Sequence, residues 1–184
     1  MKYFLFFLFI TSSFLFGEEE RLYLTYVSNL QNIYAKELQK SGLRVLCKGG
    51  ALMNDVEQIG LDFFLRKYVD VNEARRLYVK YSEPFLRLVN ANRKLRPYLH
   101  NYPATINEIG FSISFAIDPT KDESSQVRHV FYGRGEVSYF APHTNEIHHE
   151  TYEEALKIVH EEQQKQPNDP LSIPSEFEKQ QNKN

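Results

Sequence analysis

Between residues 109 and 117, bulky apolar side chains alternate with small ones without exception. Ile and Phe occupy the odd positions, and Gly, Ser and Ala occupy the even ones. Because successive side chains of a β-strand point to opposite faces, this pattern predicts a strand with one face against a hydrophobic core. The small face either meets water or lets another surface pack very close. A chain with such a strand must build a sheet and cover one of its sides.

The remaining periodic segments predict helices and further strands. Apolar residues at helical spacing indicate three helices, over residues 23–38, 74–88 and 152–159. Short strands are predicted at residues 43–47 and 59–65, and glycines at 49 and 50 predict a turn after the first. Gly133-Arg134-Gly135 lies between two short apolar runs and is typical of a β-hairpin loop.

The second helix has the clearest start signal and contains one breaking residue. Asp70 is a favourable N-cap, and Glu73 follows at the spacing of a capping box. Pro84 removes one backbone hydrogen bond, so a kink or break is expected there. We expect this helix to pack against the alternating strand, and the predicted core consists of Leu77, Tyr81, Phe85, Phe111, Ile113 and Phe115.

The order of these elements predicts the fold class. The order α, β, β, α, β, β, β, α has no regular βαβ repeat, which favours an α+β domain over a parallel α/β fold. We therefore predict an antiparallel sheet of about five strands packed by three helices, in a single domain over residues 18–165. Residues 166–184 are rich in Gln, Lys, Asn, Pro and Glu, and are predicted to be disordered.

Residues 1–17 predict export. Lys2 precedes an apolar run that extends to Phe16. A helix over residues 3–17, at about 1.5 Å per residue, spans roughly 22 Å, short of the ~30 Å hydrocarbon core of a bilayer. We therefore expect a signal peptide, cleaved after Ser13 or Gly17, and a periplasmic or extracellular protein without a stable transmembrane span. An uncleaved segment that tethers the domain is the alternative.

Charge and cysteine content restrict the possible partners and crosslinks. The chain has 22 basic and 24 acidic side chains, and this near-balance disfavours a nucleic-acid binder. Cys47 is the only cysteine, so an internal disulfide is excluded. We expect Cys47 to be a buried strand residue, and a reactive or pairing thiol is the alternative.

Basic residues are concentrated in one segment. Residues 66–96 contain nine Lys or Arg against three Asp or Glu. This excess predicts a surface that binds an anionic protein or lipid surface. Alternatively, these residues complement a helix dipole or pair with carboxylates elsewhere in the fold. The candidate partner-binding residues are Arg75, Arg76, Lys80, Arg87, Arg93, Lys94 and Arg96.

Histidines cluster near the C-terminus together with glutamates. Such residues could ligate zinc in a hydrolase, and the candidate metal ligands are His143, His148, His149, Glu153 and His160. The metalloprotease pattern His-Glu-x-x-His fails, because Glu153 stands where the second histidine is required. A polar loop and a solvated helix face are the alternative interpretation.

No catalytic spacing is complete. Ser112 and Ser114 have no histidine beside them in the sequence and lie outside any nucleophile-elbow pattern. We therefore predict an exported, non-enzymatic α+β module that acts by binding or as an accessory component of the envelope, without a cofactor. A metal-dependent hydrolase that uses the histidine cluster and zinc is the alternative.

Overall fold

A six-stranded sheet carries three helices on one face. The computed structural model describes residues 22–165. The helices are α1 (residues 22–40), α2 (Val71–Ala91) and α3 (Tyr152–Lys165). The strands are β1 (Leu43–Ala51), β2 (Gln58–Leu65), β3 (Ile109–Phe115), β4 (His129–Gly133), β5 (Glu136–Phe140) and β6 (Glu146–Glu150).

The predicted α+β class is confirmed, and two details of the sheet differ from the prediction. The strands lie side by side in chain order, and there are six rather than about five. All neighbours are antiparallel except β2 and β3, which are parallel. This pair is parallel because α2 intervenes between the two strands and returns the chain to the end at which β2 began.

The additional strand, β6, lies in the histidine-rich segment near the C-terminus. The alternative to a metal site there was a polar loop, and no strand was predicted. Its sequence, Glu-Ile-His-His-Glu, has no alternating apolar pattern. It is a strand because it pairs with β5 at the edge of the sheet, so that its backbone bonds are made by a neighbour. The buried side chain of Glu150 is compensated by an arginine from α2. Neither cause is visible in the local sequence.

The predictions for β1 are corrected in two respects. The strand continues to Ala51 and includes Gly49 and Gly50, which were predicted to form a turn. Cys47 is exposed, not buried. A β-bulge between Val45 and Cys47 inserts one residue, so the alternation reverses and Cys47 points away from the helices.

Helix α2 begins as predicted and does not break. Asp70 accepts a hydrogen bond from the backbone N–H of Glu73 at 2.8 Å, which confirms the N-cap. The helix then runs through Pro84 to Ala91 without interruption. The hydroxyl of Tyr34 donates to the carbonyl oxygen of Tyr81 at 2.5 Å, one turn before the proline. This contact with α1 holds the helix beside Lys80, whose carbonyl cannot receive the usual helical hydrogen bond because Pro84 has no N–H.

The core lies between the helices and one face of the sheet, as predicted. All six predicted core residues are buried. Phe85 of α2 stacks on Tyr34 of α1 at 5.0 Å and contacts Phe111 of β3 at 6.0 Å, both measured between ring centroids. The side-chain amide of Gln31 in α1 donates to the carbonyl oxygens of Gly49 and Gly60, which holds α1 on the β1–β2 hairpin.

Two predicted segments lie outside the described residues: the signal peptide over residues 1–17 and the disordered tail over residues 166–184. Within residues 22–165, none of the helices has the length and apolar character needed to cross a membrane.

Candidate functional site

Arg75 of the predicted basic surface is buried inside the fold. Its Nε donates to Oε1 of Glu150 on β6 at 2.7 Å, and its Nη1 donates to Oδ1 of Asn72 at 2.8 Å. Burial alone would lower the pKa of the guanidinium, but the hydrogen bond and charge of Glu150 outweigh burial and raise it. Arg75 therefore joins α2 to the sheet and is not available to a partner.

The other candidates on α2 are engaged within the protein. Arg76 forms an ion pair with Glu73 at 2.6 Å, and Arg87 forms one with Glu83 at 2.5 Å. The ammonium group of Lys80 lies 5.6 Å from the ring centroid of Tyr81. The alternative interpretation of the basic segment, pairing with carboxylates of the fold, holds for these arginines.

The three candidates that follow α2 are exposed and are not paired with carboxylates of the described chain. Arg93, Lys94 and Arg96 are all exposed. Within residues 22–165, none of them forms an ion pair with a carboxylate. The side chain of Asn92 accepts hydrogen bonds from the backbone N–H groups of Lys94 and Leu95, both at 3.1 Å, and so holds the turn that presents them. We call these three residues the basic trio.

The basic trio belongs to one end of the molecule, where three chain segments meet. The β1–β2 loop joins the segment after α2 because Val56 N–H donates to the carbonyl of Tyr98 at 2.8 Å. The first turn of α1 joins the same loop, since the hydroxyl of Tyr23 donates to the carbonyl of Leu52 at 2.8 Å. The rings of Tyr23 and Tyr98 lie 5.7 Å apart. We call the surface formed by residues 22–26, 52–57 and 93–102 the basic end.

One acidic group of the basic end is already compensated. Asp55 Oδ2 lies 2.7 Å from Nδ1 of His100. The hydrogen bond and the charge of Asp55 raise the pKa of His100 above its ordinary value, so protonation of His100 is favoured. Glu57 is the other carboxylate of the β1–β2 loop, and it is exposed.

Two candidate metal ligands on β6 point in opposite directions. Nε2 of His148 lies 3.3 Å from Nη2 of Arg75, on the helix side of the sheet. His149 is next in the strand and faces the other side, where its Nδ1 lies 2.9 Å from Oε1 of Glu146. A single metal ion cannot be bound by both rings in this arrangement, because the alternation of a strand separates them.

The remaining candidate ligands have unrelated neighbours. His143 lies 3.3 Å from a carboxylate oxygen of Glu123, and His160 lies 3.7 Å from one of Glu83. Glu153 is exposed in the first turn of α3. Across the described part of the chain, no three His, Cys, Asp or Glu side chains are arranged to hold a metal ion. The zinc interpretation gains no geometric support.

The sheet face without helices contains a serine–histidine contact that the sequence analysis missed. The hydroxyl of Ser114 lies 3.0 Å from Nδ1 of His129. Ser114 and His129 are directly opposite each other in the β3–β4 pair. A prediction of the register between these two strands would have identified the contact. Burial lowers the pKa of His129, which favours the neutral ring.

This contact lacks the supporting groups that nucleophilic catalysis needs. A nucleophilic serine requires a base whose second nitrogen is oriented by a further group. Among residues 22–165, no hydrogen bond to Nε2 of His129 is present. The nearby Asp62 instead accepts a hydrogen bond from the hydroxyl of Ser112 at 2.6 Å. We therefore regard the basic end as the candidate functional site.

Comparison with known proteins does not identify a family or a function. No protein-family model, curated protein or solved structure matches this chain.

Proposed function

We propose that this chain is an exported, non-enzymatic accessory module of the cell envelope that binds an anionic partner through the basic trio. One observation carries the proposal: Arg93, Lys94 and Arg96 are exposed on a turn without a carboxylate partner among the described residues, whereas the arginines of α2 are paired. Positive charge left exposed in this way attracts anions before contact is made.

The basic trio can attract an anion although the whole chain has a net negative charge. Exposed charges interact over about 10 Å at 0.1 M salt, so distant carboxylates do not cancel the local field. The cation of Arg96 also lies 4.4 Å above the ring of Tyr102, which orders its side chain and leaves its charge in place. An approaching anion therefore meets three cations in four consecutive positions.

The hydrolase alternative is not part of this proposal. It requires several ligands around one metal ion, and the histidines of residues 143–160 each contact a different part of the protein.

Charge reversal in the basic trio tests the binding proposal. We expect Arg93→Glu/Lys94→Glu to weaken binding to heparin, a soluble polyanion, as measured by fluorescence anisotropy over a range of salt concentrations. The plot of log affinity against log salt has a negative slope, and its steepness should decrease by about two. The reason is that binding releases about one counterion for each cationic contact, and the variant has two fewer contacts.

The matched control changes the net charge equally at the other end of the sheet. Arg66 follows β2 and Lys121 lies between β3 and β4, and both side chains are exposed. Arg66→Glu/Lys121→Glu should leave the salt slope nearly unchanged. Equal effects of the two double variants would show that only net charge matters, and the proposed site would be wrong.

Export is tested separately. N-terminal sequencing of the protein recovered from the envelope fraction should find a mature terminus between Phe14 and Glu18. An intact Met1 on protein that remains in the cytosol would contradict the proposed location.

A further inference from the structure

The basic end also carries exposed apolar side chains. Within residues 22–165, seven large hydrophobic side chains are exposed, and four of them belong to this end, which indicates a concentration rather than an even scatter. Met53 is 88% exposed, Tyr102 49%, Leu22 43% and Leu24 41%. Exposed apolar groups that gather beside cations mark an interaction surface.

Contacts in the fold connect the segments that carry these side chains to the segment that carries the basic trio. Leu22 and Leu24 flank Tyr23, whose hydroxyl contacts the carbonyl oxygens of Leu52 at 2.8 Å and Met53 at 3.2 Å. Tyr102 lies directly under the guanidinium of Arg96. Hydrogen bonds and ring packing therefore join the three segments that carry the apolar and basic groups at one end of the molecule.

We propose that the anionic partner of the basic end is the headgroup surface of a lipid bilayer. Leucine and methionine side chains enter the boundary between headgroups and acyl chains, and tyrosine is favoured at that level. Lysine and arginine remain among the anionic headgroups and are attracted by their negative potential. This inference rests on the proposed function and names its partner.

The acidic groups of the basic end do not cancel its attraction to anionic lipid. Asp55 is paired with His100, whose raised pKa favours the cationic ring. Within residues 22–165, Glu57 is the single exposed carboxylate of this surface against three exposed cations, and three glutamates, residues 18–20, precede Leu22 in the sequence. We expect the three exposed cations to favour anionic bilayers over zwitterionic ones.

A tryptophan at position 53 reports whether this end enters the bilayer, because the chain has no other tryptophan. Met53→Trp changes a side chain that is almost entirely exposed, so the fold is not disturbed. We expect its emission to shift to shorter wavelength when the protein recovered from the envelope binds phosphatidylcholine vesicles that contain phosphatidylglycerol. Pure phosphatidylcholine vesicles should give a weaker shift.

A second tryptophan position provides the control. Tyr68 is 55% exposed and follows β2, at the opposite end of that strand from the β1–β2 loop. An eight-residue strand separates the two positions by roughly 25 Å. Tyr68→Trp should therefore show no emission shift with the same vesicles.

Charge reversal completes the test. In the Met53→Trp protein, Arg93→Glu/Lys94→Glu should lower the vesicle partition coefficient at least about 30-fold, because two cationic contacts are lost and two repelled carboxylates are added. Equal shifts at positions 53 and 68, an unchanged emission at position 53, or a partition that charge reversal leaves unaltered would each overturn the bilayer inference. If heparin binding still depends on the basic trio, the proposed function stands without the bilayer; if it does not, both fail.

Discussion

Glu150→Ala is expected to lower the free energy of unfolding by about 3–5 kcal/mol, because it leaves the buried guanidinium of Arg75 without its carboxylate. Glu150 Oε1 accepts hydrogen bonds from Nε of Arg75 at 2.7 Å and from the hydroxyl of Tyr139 at 2.5 Å. Both donors would lose their partner in a site that is largely shielded from water. Urea unfolding monitored by circular dichroism measures the loss.

A second carboxylate on the same strand serves as the control. Glu146 lies on β6 as well, but its contact with His149 is exposed, so Glu146→Ala should cost less than about 1 kcal/mol. The double variant Arg75→Met/Glu150→Leu should recover much of the lost stability, since apolar residues of similar volume can replace a buried pair. Similar losses for Glu150→Ala and Glu146→Ala would contradict the buried pair.

Ile113→Ala is expected to cost about 2–5 kcal/mol of unfolding free energy, since it removes apolar burial and leaves a cavity. Ile113 lies in β3 between Phe63 of β2 and Val130 of β4, and all three side chains are buried. The neighbouring strands hold their positions through backbone hydrogen bonds, so the cavity cannot collapse fully. Urea unfolding again gives the difference.

The adjacent residue provides the control for this substitution. Ser114 faces the side of the sheet without helices and contacts His129. Ser114→Ala removes one partly buried hydrogen bond and should cost about 1 kcal/mol. A loss below ~1 kcal/mol for Ile113→Ala would mean that this face of β3 is not the core face.

The Glu150→Ala prediction and the binding proposal are connected through the arginines of α2. Arg75, Arg76 and Arg87 are used by the protein itself, one in a buried pair and two in pairs along the helix. The turn after α2 is where the basic segment leaves the helix, and no acidic residue falls within residues 92–100. Of the seven candidate binding residues, the three that are exposed without a carboxylate partner among residues 22–165 therefore lie at the basic end.

Local periodicity was sufficient to predict the elements that face the core. The strict alternation around Ile113 defined both faces of β3. The stripe on α2 located Leu77, Tyr81 and Phe85 in the core, but it missed Tyr78 and Val89, which are also buried. These signals are readable because a strand or helix that covers a core repeats its apolar side chains at the period of its own geometry. The cap at Asp70 is equally local, since its hydrogen bond closes within three residues.

The β4–β5 hairpin was predicted correctly from its glycine-containing loop, but other features that depend on a neighbouring strand were predicted incorrectly or not at all. The polar strand β6 exists because β5 offers it backbone partners, and Cys47 is exposed because a bulge changes the register of β1 against β2. The parallel pairing of β2 and β3 follows from the path of α2 between them. Each of these depends on which strands meet, and that information is spread over the whole chain.

The sequence by itself determined the fold class, the core faces and the excess of basic residues after position 66. Only the tertiary structure decided which of those residues remain available, because the carboxylate that neutralises Arg75 lies 75 positions away in the chain. It also joined the β1–β2 loop and the start of α1 to the segment that follows α2, through hydrogen bonds between segments that no periodic pattern connects. Which charges pair, and which side chains share a surface, depends on how close residues are in the folded structure. The spacing of residues along the sequence does not give that distance.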